Sequence, residues 1–350
     1  MELIDLIRTG TSKNASDIHI TVGVPPVFRI NGELHEYGEE SLRPDDTKKL
    51  VEAVLEEKQL IELNEKGEVD TSFSSPGVGR FRVNAYKQRG SYCMALRIIP
   101  LRIPTIDELG LPQIVKELAR VPRGLILVTG PTGSGKSTTL ASIIDLINSE
   151  RSCHILTLED PIEYLHSHNK SVVNQREIGI DSINFSNALR AALRQDPDVI
   201  LVGEMRDLET ISIALTAAET GHLVLSTLHT LGASKTIDRV IDVFPPHQQQ
   251  QIRIQFASVI QGIISQQLLS KSDESGRVAA FEIMVSTPAI RNLIREEKSH
   301  QIDTAIQTGR KFGMEAMDNS ILELYKKRLI SRDTALNQAF NSELMKRYIL

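Results

Sequence analysis

"GLILVTGPTGSGKSTTLASIIDLIN", residues 124–148, reads as a buried strand, a glycine-rich loop and a helix in direct succession. Residues 130–138 match G-x-x-x-x-G-K-[ST] in full, in the strand–loop–helix context this phosphate-holding motif requires. Gly133 and Gly135 let the backbone wrap closely around phosphate oxygens, where loop amides and the helix N-terminus offer partial positive charge. Lys136 is placed to reach β- and γ-phosphates, and Ser137 to give its hydroxyl to Mg²⁺. Thr132, Ser134 and Thr138 complete the nucleotide-binding stretch. A chance glycine-rich turn would not account for the strand and helix on either side.

Three further apolar runs, "CHILTLED" (153–160), "DVILVGE" (198–204) and "HLVLSTLH" (222–229), alternate with helical patterns. Continuous rather than alternating runs suggest strands buried on both faces, hence an α/β domain with a mainly parallel sheet. From Ser234 onward the pattern is mostly helical, interrupted by the strand-like "RVAAFEIMV" (277–285).

Residues 1–99 read as a smaller α+β domain. "SDIHITV" (16–22) alternates like a half-buried strand, and Asn31-Gly32 signals a hairpin turn. "DDTKKLVEAVLEEKQLIELNEKG" (45–67) has helical apolar spacing and ends at a glycine. In "GRFRVNAYKQRGSYCMALRII" (79–99) two strands meet at Arg89-Gly90, with Arg80, Arg82 and Asn84 on the face opposite Phe81, Val83 and Ala85. Pro100, Pro104 and Pro112 mark residues 100–114 as a linker, which leaves 115–350 for the second domain.

Composition narrows the field. A chain of 350 residues has room for two or three domains. A net charge of −5 argues against a nucleic-acid partner, and so does a 4% aromatic content without tryptophan. A local basic channel stays compatible with both. No run of about 18 apolar residues predicts a membrane-spanning helix. The acid-bearing start, "MELIDLIRTG", is unlike a signal peptide. Cys93 and Cys153 lie far apart with no CxxC pair, which suggests buried free thiols in a reducing cytoplasm and no structural zinc.

Hydrolysis needs a group to activate water and another to manage the metal. In open α/β sheets ligands lie beyond the carboxyl ends of the strands. "TLEDPIEY" (157–164) puts Glu159, Asp160 and Glu163 there, unless it is a solvated acidic loop. "VILVGEMRD" (199–207) ends a buried strand in Gly203, where an ordinary P-loop ATPase carries an aspartate for Mg²⁺. Glu204, one methylene longer and one residue on, could reach the metal shell, directly or through water. The alternative is a helix cap, although Asp207 suits that role better. His229, at the carboxyl end of its strand, could donate to the γ-phosphate or be structural. His222, at the amino end, is harder to place in the same pocket. Arg80, Arg82 and Arg97 are candidates for stabilising transition-state charge, set against a solvated basic face.

Together these motifs resemble the secretion ATPases of type IV pilus and type II secretion systems, and within them the retraction motors. "SDIHI" (16–20) is similar to the family's amino-terminal motif, "GPTGSGKST" to its Walker A loop and "TLEDPIEY" to its aspartate box. "ILVGEMRD" (200–207) resembles its atypical Walker B, and "TGHLVLSTLHT" (220–230) its histidine box. "AIRNLI" (289–294), after "FEIM", resembles a carboxy-terminal motif of retraction motors. The resemblance implies a RecA-like ATPase domain behind a PAS-like domain, in a homo-hexameric ring with ATP and Mg²⁺ between the domains. It implies Glu163 as general base and Glu204 as holder of Mg²⁺ and its water shell. His229, and with it His222, would link γ-phosphate state to domain position, and the first-domain arginines would close the site.

Assembly motors of the group usually carry a tetracysteine zinc module and a longer amino-terminal extension, and this sequence has neither. The expected partners are an inner-membrane platform protein and, indirectly, pilin, with the ring cytoplasmic and peripheral at that membrane. Ala289, Ile290, Arg291, Asn292 and Leu293 would form the partner surface, needed for retraction rather than ATP turnover. The plainer reading of this stretch is an amphipathic helix after Thr287-Pro288, with Ile290, Leu293 and Ile294 inward. The alternatives are a pilus-assembly or type II secretion motor, a nucleic-acid translocase, and a nucleotide-gated ring that hydrolyses little.

Overall fold

A computed structural model describes residues 2–30, 32–99, 102–273 and 275–349. Asn31 of the expected hairpin turn and Pro100 of the connector lie outside the described residues. The chain divides into two compact units. One is Met1–Arg102 with Glu163–Leu165, and the other is Ile103–Ile162 with His166–Leu350.

The first unit runs α1 (Leu3–Ser12), β1 (Asp17–Ile20), β2 (Val27–Ile30), β3 (Glu33–Glu36), α2 (Pro44–Glu52), α3 (Glu57–Lys66), β4 (Glu68–Ser75), β5 (Gly79–Gln88) and β6 (Ser91–Ile99). Its antiparallel sheet has the order β3-β2-β1-β6-β5-β4. The alternation in β5 works as the sequence suggests: Phe81, Val83 and Ala85 are buried, and Arg82 is exposed. Arg89 and Gly90 both take positive φ (50° and 80°), the backbone of a tight hairpin turn. The helical run 45–67 is two helices, not one. Glu56 is extended, and its N–H is taken by Gln59 Oε1 at 2.9 Å, which restarts the helix. Gly67 ends it at φ 86°.

The second unit follows with α4 (Ile114–Ala119), β7 (Gly124–Thr129), α5 (Lys136–Glu150), β8 (His154–Glu159), β9 (Val172–Glu177), α6 (Phe185–Ala192), β10 (Val199–Val202), α7 (Leu208–Glu219), β11 (Leu223–Leu228), α8 (Ala233–Asp242) and α9 (Pro246–Val259). It closes with β12 (Ile260–Ser270), β13 (Arg277–Val285), α10 (Pro288–Arg295), α11 (Ile302–Thr308), α12 (Met317–Lys326), α13 (Arg332–Gln338) and α14 (Ser342–Tyr348). The sheet order is β13-β12-β7-β11-β10-β8-β9. Its strands pair in parallel except for β13, which runs antiparallel to β12. This is an α/β fold with a mixed, mostly parallel sheet.

Successive residues of each central strand feed two different cores. Leu125, Leu127, Leu156, Leu158, Ile200, Val202 and Val224 join the core on one face. Ile126, Val128, Ile155, Val199, Leu201, Leu223 and Leu225 join the other. Burying each such side chain contributes about 1.5–3 kcal/mol, so the central strands hold the sheet firmly. A smaller cluster ties Leu269 of β12 and Ala280 of β13 to Met317, Ile321, Ala335 and Met345 of the last helices.

Two expectations need correction. The helical reading beyond Ser234 misses β12, whose buried Ser265, Gln266 and Gln267 break the apolar pattern of a core strand. Of the two thiols, Cys93 is buried but Cys153 only half-buried, beside Ser171 Oγ at 3.2 Å.

Candidate active site

The phosphate loop leaves β7, between β12 and β11, and enters α5. Gly133 and Gly135 have φ of 77° and 87°, conformations that favour glycine. At Gly130 the constraint is space: a Cβ would lie 2.2 Å from Gln266 O and 2.7 Å from Ser134 Oγ. The loop is therefore pressed against β12. Lys136 is buried, and its Nζ donates to Gly130 O at 2.9 Å and Pro131 O at 3.0 Å. Ser134 Oγ is buried without a partner among the described residues. Thr132 and Gly133 are exposed, and Ser137 and Thr138 half-buried.

Gln266, in β12, escapes a motif search. Its Nε2 donates to Ser134 O, and its Oε1 accepts from Thr139 Oγ1 at 2.7 Å. One buried amide thus fixes the loop to the first turn of α5. The signal in the sequence is "SQQ", polar residues inside an otherwise apolar strand.

Beyond the carboxyl end of β10, Gly203 N–H donates to Leu158 O at 2.7 Å, and Gly203 O accepts from Thr227 Oγ1 at 2.6 Å. A Cβ at Gly203 would lie 3.1 Å from Leu158 O. An aspartate there would crowd β8, and the acid stands one residue later. The Glu204 carboxylate is 17% exposed, 2.7 Å from Arg206 Nε and 3.6 Å from His229 Nε2. Adjacent parallel strands β10 and β11 thus bring Glu204 and His229 together. Glu204 does not cap α7. Asp207 does, accepting Thr210 N–H at 2.8 Å.

His222 stands at the other end of β11, where its Nδ1 contacts Ala217 O at 2.9 Å. A six-residue strand separates it from His229, on the order of 20 Å along the chain. There it lies against the carboxyl end of α7.

Glu159 ends β8, and its Oε1 accepts from Thr157 Oγ1 at 2.6 Å and Gln175 Nε2 at 3.1 Å. Glu163 is exposed and sorts with the first unit. In that unit the sheet register sets Arg29, Asp17, Arg97, Arg82 and Ser72 in one row across five strands. Arg97 Nε donates to Asp17 Oδ1 at 3.0 Å, and Arg80 reaches Ser72 and Ser74 Oγ at 2.7 and 3.1 Å.

In α10, Thr287 caps the helix, Ile290 and Ile294 are buried, and Leu293 packs beside them. Ala289 and Asn292 are exposed. Arg291 is half-buried rather than open, because its Nε donates to Ser286 Oγ at 3.0 Å.

The left-handed glycines, the pressed Gly130 and the buried ammonium form a cradle suited to a nucleotide polyphosphate. Among the described residues, no three His, Cys, Asp or Glu form a cation cage. Mg²⁺ needs none: it usually takes one or two protein oxygens besides phosphates and water, and Ser137 and Glu204 are oxygen donors of that kind. No helix among the described residues is long and apolar enough to cross a membrane.

A family model described as "Type II/IV secretion system protein" matches residues 3–332. The chain is 50% identical to the type IV pilus retraction ATPase PilT of Pseudomonas aeruginosa, over 97% of this chain and 98% of that one. It is 46% identical to a twitching motility protein of Neisseria gonorrhoeae, over 98% and 92%. A crystal structure of the pilus retraction motor PilT with bound ADP superposes with a TM-score of 0.93 at 50% identity, covering 99% of each chain.

Proposed function

This chain belongs to the type II/IV secretion system protein family, and we propose that it hydrolyses ATP to power type IV pilus retraction. It is a P-loop ATPase, akin to retraction motors over nearly its whole length. One observation carries the reading: the phosphate loop, His229 and Glu204 follow the carboxyl ends of three neighbouring parallel strands, β7, β11 and β10.

In the finer reading, the second unit is a RecA-like domain, the first is PAS-like, and six copies form a cytoplasmic ring. Lys136 and the loop amides of Thr132–Thr138 orient the β- and γ-phosphates of ATP. Bound Mg²⁺ neutralises charge that develops on the transferred phosphate. Ser137 and Glu204 hold its oxygen shell. Glu163 takes the proton of the attacking water. His229, held against Glu204, responds to loss of the γ-phosphate, and Arg80, Arg82 and Arg97 offset transition-state charge. The ring works on an inner-membrane platform protein and, through it, on pilin, with no nucleic acid involved. Ala289–Leu293 supply the partner contact, led by exposed Asn292 and Ala289.

Lys136→Ala and Glu204→Ala should each remove most ATPase activity. Wild-type turnover in either purified variant would sink the assignment of the site. Gene deletion separates retraction from assembly: surface pili persist when a retraction motor is lost and disappear when an assembly motor is.

A further inference from the structure

We propose that Glu282 is a positioning residue that locks the loop carrying His229 to the C-terminal helices, so that both respond to the nucleotide together. The inference rests on the reading of His229 as the group that responds to the γ-phosphate.

Two helix starts in this region leave backbone donors without a side-chain cap. Helix α8 begins four residues after His229, at Ala233, and its cap residue Gly232 has no side chain to offer. Helix α12 begins at Met317, where Ala316 likewise gives no side-chain cap. Helix starts leave backbone N–H groups that need acceptors. Glu282, buried in β13, lies at both: its Oε1 accepts from Ala233 N–H at 2.8 Å, and its carboxyl lies near enough to Met317 N–H for that amide to favour its charged form. Ser265, the register partner of Glu282 on β12, accepts the adjacent Gly232 N–H at 3.0 Å. Two facing side chains on the last two strands therefore hold consecutive amides of the histidine loop.

The same carboxyl reaches the C-terminal helices. Asp318, next to Met317, accepts Phe340 and Asn341 N–H at 2.6 and 2.9 Å, which ties the α13–α14 loop to α12. The Phe340 ring then returns to the histidine loop: a Cβ on Gly232 would lie 3.4 Å from its Cε2 and 3.6 Å from Glu282 Oε1. Gly232, at φ 88°, is the contact between loop, glutamate and tail. Displacing residues 229–232 would move the start of α8, and through Glu282 the start of α12. Burial of Glu282 makes this connection stiff, because water cannot replace a lost partner.

The test is a double-mutant cycle on the full chain, with kcat and KM for ATP measured for wild type, Glu282→Ala, His229→Ala and the double variant. If Glu282 acts through His229, Glu282→Ala lowers kcat about tenfold while KM stays within about twofold. The double variant then matches His229→Ala to within about twofold, because the two changes remove one shared function. Multiplying losses overturn the proposal, as does a rise in KM alone or wild-type kcat in Glu282→Ala. Wild-type turnover in His229→Ala removes the functional reading on which it rests, and the proposal with it. Should Glu282→Ala not fold, Glu282→Gln takes its place: the amide keeps one acceptor and sets a donor against the second N–H. A kcat loss at constant KM supports the proposal, and a wild-type kcat overturns it.

Discussion

Gln266→Leu tests how the phosphate loop keeps its shape. The substitution preserves volume and removes both hydrogen bonds of the buried amide, to Ser134 O and from Thr139 Oγ1. The Thr139 hydroxyl sits in α5 and can turn to a carbonyl of the preceding turn. The Ser134 carbonyl lies against β12 with no such escape. One stranded buried acceptor costs about 1–3 kcal/mol. In a domain of this size that lowers the melting temperature by roughly 2–4 °C per kcal/mol. If the whole cost falls on the loop's phosphate-ready form, ADP affinity drops about five- to 150-fold. Gln266→Glu should do worse, because a carboxylate oxygen replaces the donor that faces Ser134 O. Calorimetric ADP titration and thermal melts of both variants decide the matter. Unchanged affinity and melting temperature in both would refute the idea that β12 shapes the loop.

Gly203→Ala puts a methyl 3.1 Å from Leu158 O, so it should cost about 1–3 kcal/mol and slow turnover by shifting Glu204. Gly203→Asp, which restores the usual Walker B acid, should lose activity too, and a gain in ATPase rate would contradict the crowding argument. Burial pushes the Glu282 pKa up to about 7, against the help of two backbone N–H bonds and with Asp303 and Asp318 nearby. The folded state then holds this proton more tightly than the unfolded chain. Stability from this group is complete below the ordinary carboxyl range and fades as pH rises through about 7, by on the order of 3 kcal/mol. Melting curves from about pH 5 to 8 should fall less steeply for Glu282→Gln than for wild type; equal slopes would count against it. Arg291→Ala loses one half-buried bond to Ser286, worth about 1 kcal/mol, and should keep full ATPase activity while impairing retraction in a twitching assay. Normal twitching would remove Arg291 from the partner surface.

The central strands were readable because both of their faces are buried, which leaves an unbroken apolar run in the sequence. Strand β12 was not, because Gln266 serves a loop 132 residues earlier in the chain, and the polar "SQQ" that serves it breaks the apolar pattern of a strand. The split between α2 and α3 was hidden for a smaller reason: a four-residue break, 53–56, ending in extended Glu56, falls within good helical spacing. Motif spacing alone marks Lys136, Ser137 and Glu204 as candidates. The approach of Glu204 to His229 comes from the pairing of β10 with β11 and needs three dimensions. Nor does spacing reveal that Glu163, inside "TLEDPIEY", sorts with the first unit while its motif neighbours Glu159 and Asp160 sort with the second.

The row across the first sheet has a consequence for salt. The row holds three guanidinium groups, Arg29, Arg97 and Arg82, and one carboxylate, Asp17, which pairs with Arg29 and Arg97. A chain with net charge −5 therefore presents a strip of surplus positive charge. At physiological ionic strength such a strip is felt over about 8 Å, and at about 1 M salt over about 3 Å. Polyanions drawn to that face should let go as salt is added, which the average charge of the protein gives no reason to expect.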